Sequence, residues 1–494
     1  MDHGGASEQL RNAPAHAVLH ARPKEACMHK RTIQLAHKAM MLPWAVAVRA
    51  ASCKQRRTLP LAFQMSSTTM TAKDWCKACR ALAEKHETVS NPSPDALKDM
   101  LADLYATMLA APWGTRASYA AIDESRLATA SVSHLARVEQ STFAWANRAI
   151  GADRSLMALA IQIRTVDALL EKTNDQLNRR PSASVREWRT TDRRHYVIPS
   201  RRARDLGNSA GDALSYGRRG TLHHRVIPTL IDGMSVRIVP VGLLESDGRE
   251  VDVHFGAALF PDLALKTAPT PKGFRASGEG RPDLSEAILE QVSALSSAHA
   301  IVWPELTIDD DALEAVSATL ASIAMDGGGA LNAVVAGSWH RPRWDGRIGN
   351  VAPLLDGTGE RIGEYSKIVR FQHKEMGTED IADGNELVVM VCDRFLAAVA
   401  ICKDYCDLGE VPPWGLLDVD VVLVPSMGNG STMAGHLANA GRNRIHGDQR
   451  ALIVQQGLPV KAEDPKGFAV MGDRTLSSDP STYRCDVRWR LGSI

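Results

Sequence analysis

Apolar positions recur at helical spacing over residues 71 to about 180 and collapse into short runs from about residue 236 onward. In "SPDALKDMLADLYATMLAAP", Leu97, Leu101, Leu104 and Met108 share one helical face; Ser93 stands at the N-cap, Pro94 at the first helical position, and Pro112 ends the run. The pattern from 134 to 178 predicts a second long helix, or two broken near Gly151. Farther along, "VDVHFGAALF", "AHAIVWPE", "LNAVVAGSW", "NVAPLLD", "NELVVMV", "FLAAVAIC", "VDVVLVPSM" and "ALIVQQ" read as strands, with helical patterns at 284–298, 310–324 and 433–449. "LLDGTGERIGEYSK" reads as a hairpin turning at Asp356 and Gly357. Strands alternating with helices argue an α/β layer structure with helices covering sheet faces. "GMSVRIVPVGL" fits either an early strand of that sheet or the last element before it.

Composition divides the chain further. With 494 residues, 44% of them hydrophobic, the chain can bury a sizeable core in two or three domains. Residues 1–70 are basic, lack a sustained period, contain Met65 and Met70, and have no acid from 26 onward; they read as a disordered leader or an over-extended start, with a targeting peptide as an alternative. Residues 71–182 form the helical accessory region. Residues 183–234 hold ten arginines against four acids between 183 and 231 and read as an irregular connector, a solvated linker in preference to a nucleic-acid surface because aromatics are not interleaved. Residues 235–494 form the α/β domain. The net charge of +1 implies no global electrostatic partner, and "MMLPWAVAV" is too short to span a bilayer. Eight irregularly spaced cysteines and no secretory pattern imply a reducing cytoplasm. "CKAC", with Cys76 and Cys79, lies in a helical pattern without a second pair and reads as helix-surface cysteines.

Three strand ends bear chemistry. Cys402 closes "AAVAIC" and is followed at once by Lys403 and Asp404, so it is either a buried strand cysteine or a nucleophile at a strand terminus. Glu305 follows "AIVWP" as an exposed cap or a general base, and Lys367 follows the hairpin as a surface lysine or a charge-stabilising group.

In this order and with these flanks, the segments resemble the carbon–nitrogen hydrolase (nitrilase) superfamily over residues 235 to 460: Glu305 in a "PE" context, Lys367 in "Y-x-K", Cys402 in "IC-x-D". The strands "VVAGSW" and "VDVVLVPSM", the hairpin "GNVAPLLDGTGE" and the stretch "RNRIHGDQRALIVQQ" agree with it. The resemblance implies a four-layer αββα sandwich, here preceded by a mainly helical N-terminal region. It also implies hydrolysis of a non-peptide C–N bond in an amide, carbamoyl or nitrile substrate, amidase ahead of nitrilase, with no metal or organic cofactor. Glu305 would take the thiol proton, Lys367 and the Lys403 N–H would stabilise developing charge, and Cys402 would form a thioester. A second family glutamate falls on Glu379, five residues before Gly384, with Glu375 as runner-up. Cys406 could pair with Cys402 under oxidation.

The alternative is a non-catalytic metabolite or nucleotide sensor or partner-binding module. Expected partners are a small amide or nitrile and further copies of this chain, a homodimer or larger, with no membrane and no nucleic acid. Trp414, Leu416 and Leu417 in "EVPPWGLLDVD" look apolar for a surface segment and suggest a pairing face.

Overall fold

The computed structural model describes residues 71–86, 92–112, 114–115, 122–140, 152–178, 185–201, 220–241, 252–261, 263, 265–277, 283–327, 330–343, 345–409, 412–447, 449–457, 463–472 and 476–493. The basic leader expected at 1–70 lies outside them. Among the described residues the helices α1 (Ala72–His86), α2 (Pro94–Leu109), α3 (Glu124–Gln140) and α4 (Ala152–Asn178) come first. Helix α2 starts where the sequence dictates, with the Ala96 N–H donating to Ser93 Oγ at 3.3 Å and Pro94 in the first turn. Its apolar face, Leu97 to Met108, packs on Trp75 of α1 and on Leu159 and Ile163 of α4. Cys79 belongs to this core instead of the helix surface expected for it, and burial pushes its thiol up to about 12.

The Arg-rich stretch expected to be an irregular connector contains an antiparallel pair, β1 (His195–Pro199) with β2 (His224–Pro228). Alternation sends Val197 and Val226 into the helical core, while Tyr196, Ile198 and Ile227 face the α/β region, so both faces of the hairpin are buried. Residues 202–219 of that stretch lie outside the described residues.

The elements that follow are β3 (Leu230–Ile231), β4 (Met234–Pro240), β5 (His254–Ala258), β6 (Thr267–Thr270), β7 (Gly273–Ala276), α5 (Leu284–Ala294), β8 (Ala300–Val302), α6 (Asp310–Met325), β9 (Ala333–Val335), β10 (Trp339–Pro342), β11 (Ile348–Asp356) and β12 (Arg361–Ser366). Then come β13 (Gln372–His373), β14 (Gly377–Glu379), β15 (Glu386–Val391), β16 (Leu396–Val399), α7 (Lys403–Asp407), β17 (Val421–Met427), α8 (Gly430–Gly447), β18 (Arg450–Gln456), β19 (Gly467–Met471) and β20 (Trp489–Ser493). One sheet runs β10-β11-β9-β8-β5-β20 with β12 also paired to β11; the other runs β19-β18-β17-β16-β15-β4-β3. "GMSVRIVPVGL" is therefore a sheet strand, β4, parallel to β15. The two sheets face each other across Phe255, Val302, Leu354, Val399 and Leu423. Helices α5 and α6 cover the outer face of the first sheet through Ile288 and Val316, and α8 covers the second through Met433 and Leu437. This is the four-layer αββα sandwich. Strands buried on both faces explain why their sequences read as continuous apolar runs.

Trp414 and Leu417 are fully buried within the chain, so the surface face expected of them is absent. A 3-10 turn, Pro413–Leu416, folds the segment inward; Trp414 Nε1 donates to the Tyr405 carbonyl at 3.2 Å, and Gln449 Nε2 donates to the Trp414 carbonyl at 2.8 Å. Among the described residues, no helix is long and apolar enough to cross a membrane.

Candidate active site

Glu305, Lys367 and Cys402 stand just beyond strands, and Glu379 is the last residue of one. Glu305 follows β8; the next residue, Leu306, has φ +56°, and its N–H donates to Ser338 Oγ at 3.3 Å. Gly337 packs so closely on this turn that a Cβ there would lie 2.6 Å from the Pro304 carbonyl oxygen. Cys402, three residues past β16, has φ +48°, a conformation that costs a non-glycine residue of order 1–3 kcal/mol. Its N–H donates to the Pro425 carbonyl at 2.9 Å and its Sγ lies 3.7 Å from the Met427 carbonyl oxygen, which ties the strained turn to β17. Lys367 follows β12, and its N–H donates to the Asn350 carbonyl of β11 at 2.9 Å. Glu379 ends β14 in a small four-stranded sheet, β13-β14-β7-β6. The loop after it returns to Lys367, where the Gly384 N–H donates to the Lys367 carbonyl at 2.8 Å.

Lys367, Glu305 and Glu379 are brought into one buried cluster, and Cys402 lies near enough for the charges of Glu305 and Lys367 to act on its thiol. Lys367 Nζ donates to Glu305 Oε1 and to Glu379 Oε2, both at 2.7 Å. Asn350 Nδ2 donates to Oε1 of each glutamate at 2.9 Å. Glu379 also accepts from the Phe371 N–H at 3.0 Å and from His340 Nε2 at 2.9 Å. His340 Nδ1 accepts the Ala276 N–H at 2.8 Å, so the neutral ring must carry its proton on Nε2 and donate it to Glu379. Lys367 is 1% exposed, Glu379 1%, Cys402 2% and Glu305 3%; water cannot screen their charges. Glu375, the runner-up, is exposed and outside the cluster.

Burial opposes the charge on Lys367, but Glu305 and Glu379 outweigh it and hold the ammonium well above its usual range. Burial likewise opposes ionisation of Glu379, and Lys367 with the His340 hydrogen bond overcomes it, leaving the carboxyl well below the usual carboxylate range. The Cys402 thiol is pushed up to about 12 by burial and by Glu305, against the opposing pull of Lys367 and Ser426. With both glutamates ionised, this arrangement can hold a neutral thiol beside a carboxylate acceptor and a fixed cation.

Sequence reasoning did not single out Asn350 or His340, and it used Asp404 only as part of the motif around Cys402. Asn350 interrupts the apolar run of β11, a polar residue with no local reason to be there. Asp404, in the "IC-x-D" context, accepts from Tyr365 OH at 2.8 Å and from the Val369 N–H at 2.6 Å, fixing the chain just after Lys367. Burial raises its carboxyl to about 7 in spite of these bonds. Cys402 and Cys406 are both free thiols.

No family model and no curated protein matches the chain. The similar solved structures include an amidase from Nesterenkonia sp., 16% identical with a TM-score of 0.32 over 49% of this chain and 90% of that one. XC1258 from Xanthomonas campestris, described as a CN-hydrolase superfamily protein, is 14% identical with a TM-score of 0.33 over 49% of this chain and 91% of that one. Glutamine-dependent NAD+ synthetase from Acinetobacter baumannii is 14% identical with a TM-score of 0.35; 49% of this chain matches, spanning 45% of the synthetase.

Proposed function

We propose that the chain is a carbon–nitrogen hydrolase, an amidase ahead of a nitrilase, acting through Cys402, Glu305, Lys367 and Glu379. The observation that carries this reading is the buried Lys367 ammonium held at 2.7 Å by two carboxylates beside a thiol. A thiol that is protonated at neutral pH needs a base when it attacks, and Glu305 is the carboxylate whose charge acts directly on it. As Sγ bonds to the substrate carbon, Glu305 takes the thiol proton, and negative charge develops on the substrate oxygen or nitrogen. Lys367 stabilises that charge, and Glu305 returns the proton to the leaving amine. Water, deprotonated by Glu305, then releases the acid from the thioester. Glu379 keeps Lys367 charged and oriented.

The homo-oligomer rests on the family resemblance alone, since Trp414 and Leu417 are internal and Leu416 is half-buried. The deciding experiment is ammonia release from a panel of primary amides and nitriles by the full chain and by Cys402→Ala. Turnover confined to the wild type is expected; equal turnover by the two overturns the mechanism, and tight binding without turnover by both favours the sensor.

A further inference from the structure

Cys406 lies one helical turn beyond Cys402 on α7, and no step of the proposed hydrolysis uses it. Its Sγ is 3.1 Å from His436 Nδ1 on α8, and the residue is half-buried. His436 is itself buried, with Nε2 at 2.9 Å from Ser426 Oγ. The direction of these hydrogen bonds turns on where Ser426 sends its proton. Gln455 Nε2 donates to the Asn429 carbonyl at 2.9 Å, which leaves Gln455 Oε1, 3.4 Å from Ser426 Oγ, as an acceptor only. When the Ser426 hydroxyl donates to Gln455 or to the neighbouring Cys402 thiol, its oxygen accepts from the imidazole; when it donates to His436 Nε2, the imidazole proton lies on Nδ1 instead. In the first arrangement His436 carries its proton on Nε2 and turns the Nδ1 lone pair toward Cys406, the tautomer a base requires.

We propose that Cys406 is a second nucleophilic thiol, with His436 as its base and Ser426 as the residue that orients that base, and that it is a modification site for small soft electrophiles such as haloacetamides and peroxides. With a haloacetamide, Sγ bonds to the methylene carbon, the carbon–halogen bond breaks, halide leaves with the electron pair, and the thiol proton passes to His436 Nδ1. With a peroxide, Sγ attacks one oxygen and the O–O bond breaks. The departing hydroxide takes the thiol proton by way of His436, giving sulfenic acid and water; the sulfur loses two electrons and the peroxide gains them.

The test uses the full chain carrying Cys402→Ala, so that it does not depend on any hydrolase activity. Iodoacetamide labelling is followed peptide by peptide by mass spectrometry, with half-buried Cys76 as the internal reference. Cys406 is expected to label at least about tenfold faster than Cys76, and His436→Gln to bring it down to the Cys76 rate while leaving Cys76 itself unchanged. Should that variant fail to fold, Ser426→Ala takes its place, since it removes only the group that orients the imidazole; the same loss is expected. Labelling of Cys406 no faster than Cys76, or a rate insensitive to these variants, overturns the proposal.

Discussion

Lys367 lies 2.7 Å from two carboxylates, so the cluster of Glu305, Glu379 and Lys367 bears one more negative than positive charge when both acids are ionised. Removing the charge of Glu379 would balance the remaining pair, bind Lys367 more tightly to Glu305 and make Glu305 a weaker base. Glu379→Gln should therefore lower kcat roughly tenfold or more, less than the roughly 10²–10⁴-fold loss expected for Glu305→Gln. Steady-state ammonia release measures both, and an inverted order would reverse the assigned roles. A second residue-scale prediction concerns Asp404, whose carboxyl burial raises from 3.8 to about 7. Raised above its unfolded value, this group stabilises the fold fully below the ordinary carboxylate range, and that contribution is lost as pH rises through about 7. The melting temperature of Asp404→Asn relative to wild type should thus improve as pH rises from about 5 to 8. A difference that stays flat over that range would show that Asp404 is ionised throughout.

At the scale of elements, the site is held by loops that touch at backbone distance. Gly384 lies so near the Ser366 carbonyl oxygen that a Cβ would sit 2.2 Å from it, one residue before Lys367. Gly384→Ala must therefore push the β12 end away from the Glu379 loop, at about 1–3 kcal/mol, and misplace Lys367. Activity should fall by more than the loss of stability explains, which kinetics on the folded fraction will reveal. The hairpin β1–β2 shows the same dependence on context, because a two-stranded ribbon has little stability alone and this one is buried on both faces.

For the whole molecule, the internal position of Trp414 changes what its substitution tests. Trp414→Asp places a carboxylate in the core beneath α8 and removes a large buried ring, a loss of at least about 3–5 kcal/mol. Thermal unfolding should show a sharply lowered melting temperature at every protein concentration. A melting temperature that recovers as concentration rises would instead mark Trp414 as part of an interface.

The sequence by itself determined the cap at Ser93, the doubly buried strands, and the order of Glu305, Lys367 and Cys402 at strand ends, because local period and turn chemistry record which side chains are buried and where strands stop. Only the tertiary structure decided what meets those residues. Asn350 reaches Glu305 across 45 positions and Glu379 across 29, and His436 meets Cys406 across 30; nothing in the flanks of these polar residues encodes such pairings. Burial of Trp414 and of the hairpin was hidden for the same reason. An apolar residue signals that it needs cover, and only the packing of distant elements settles what supplies it.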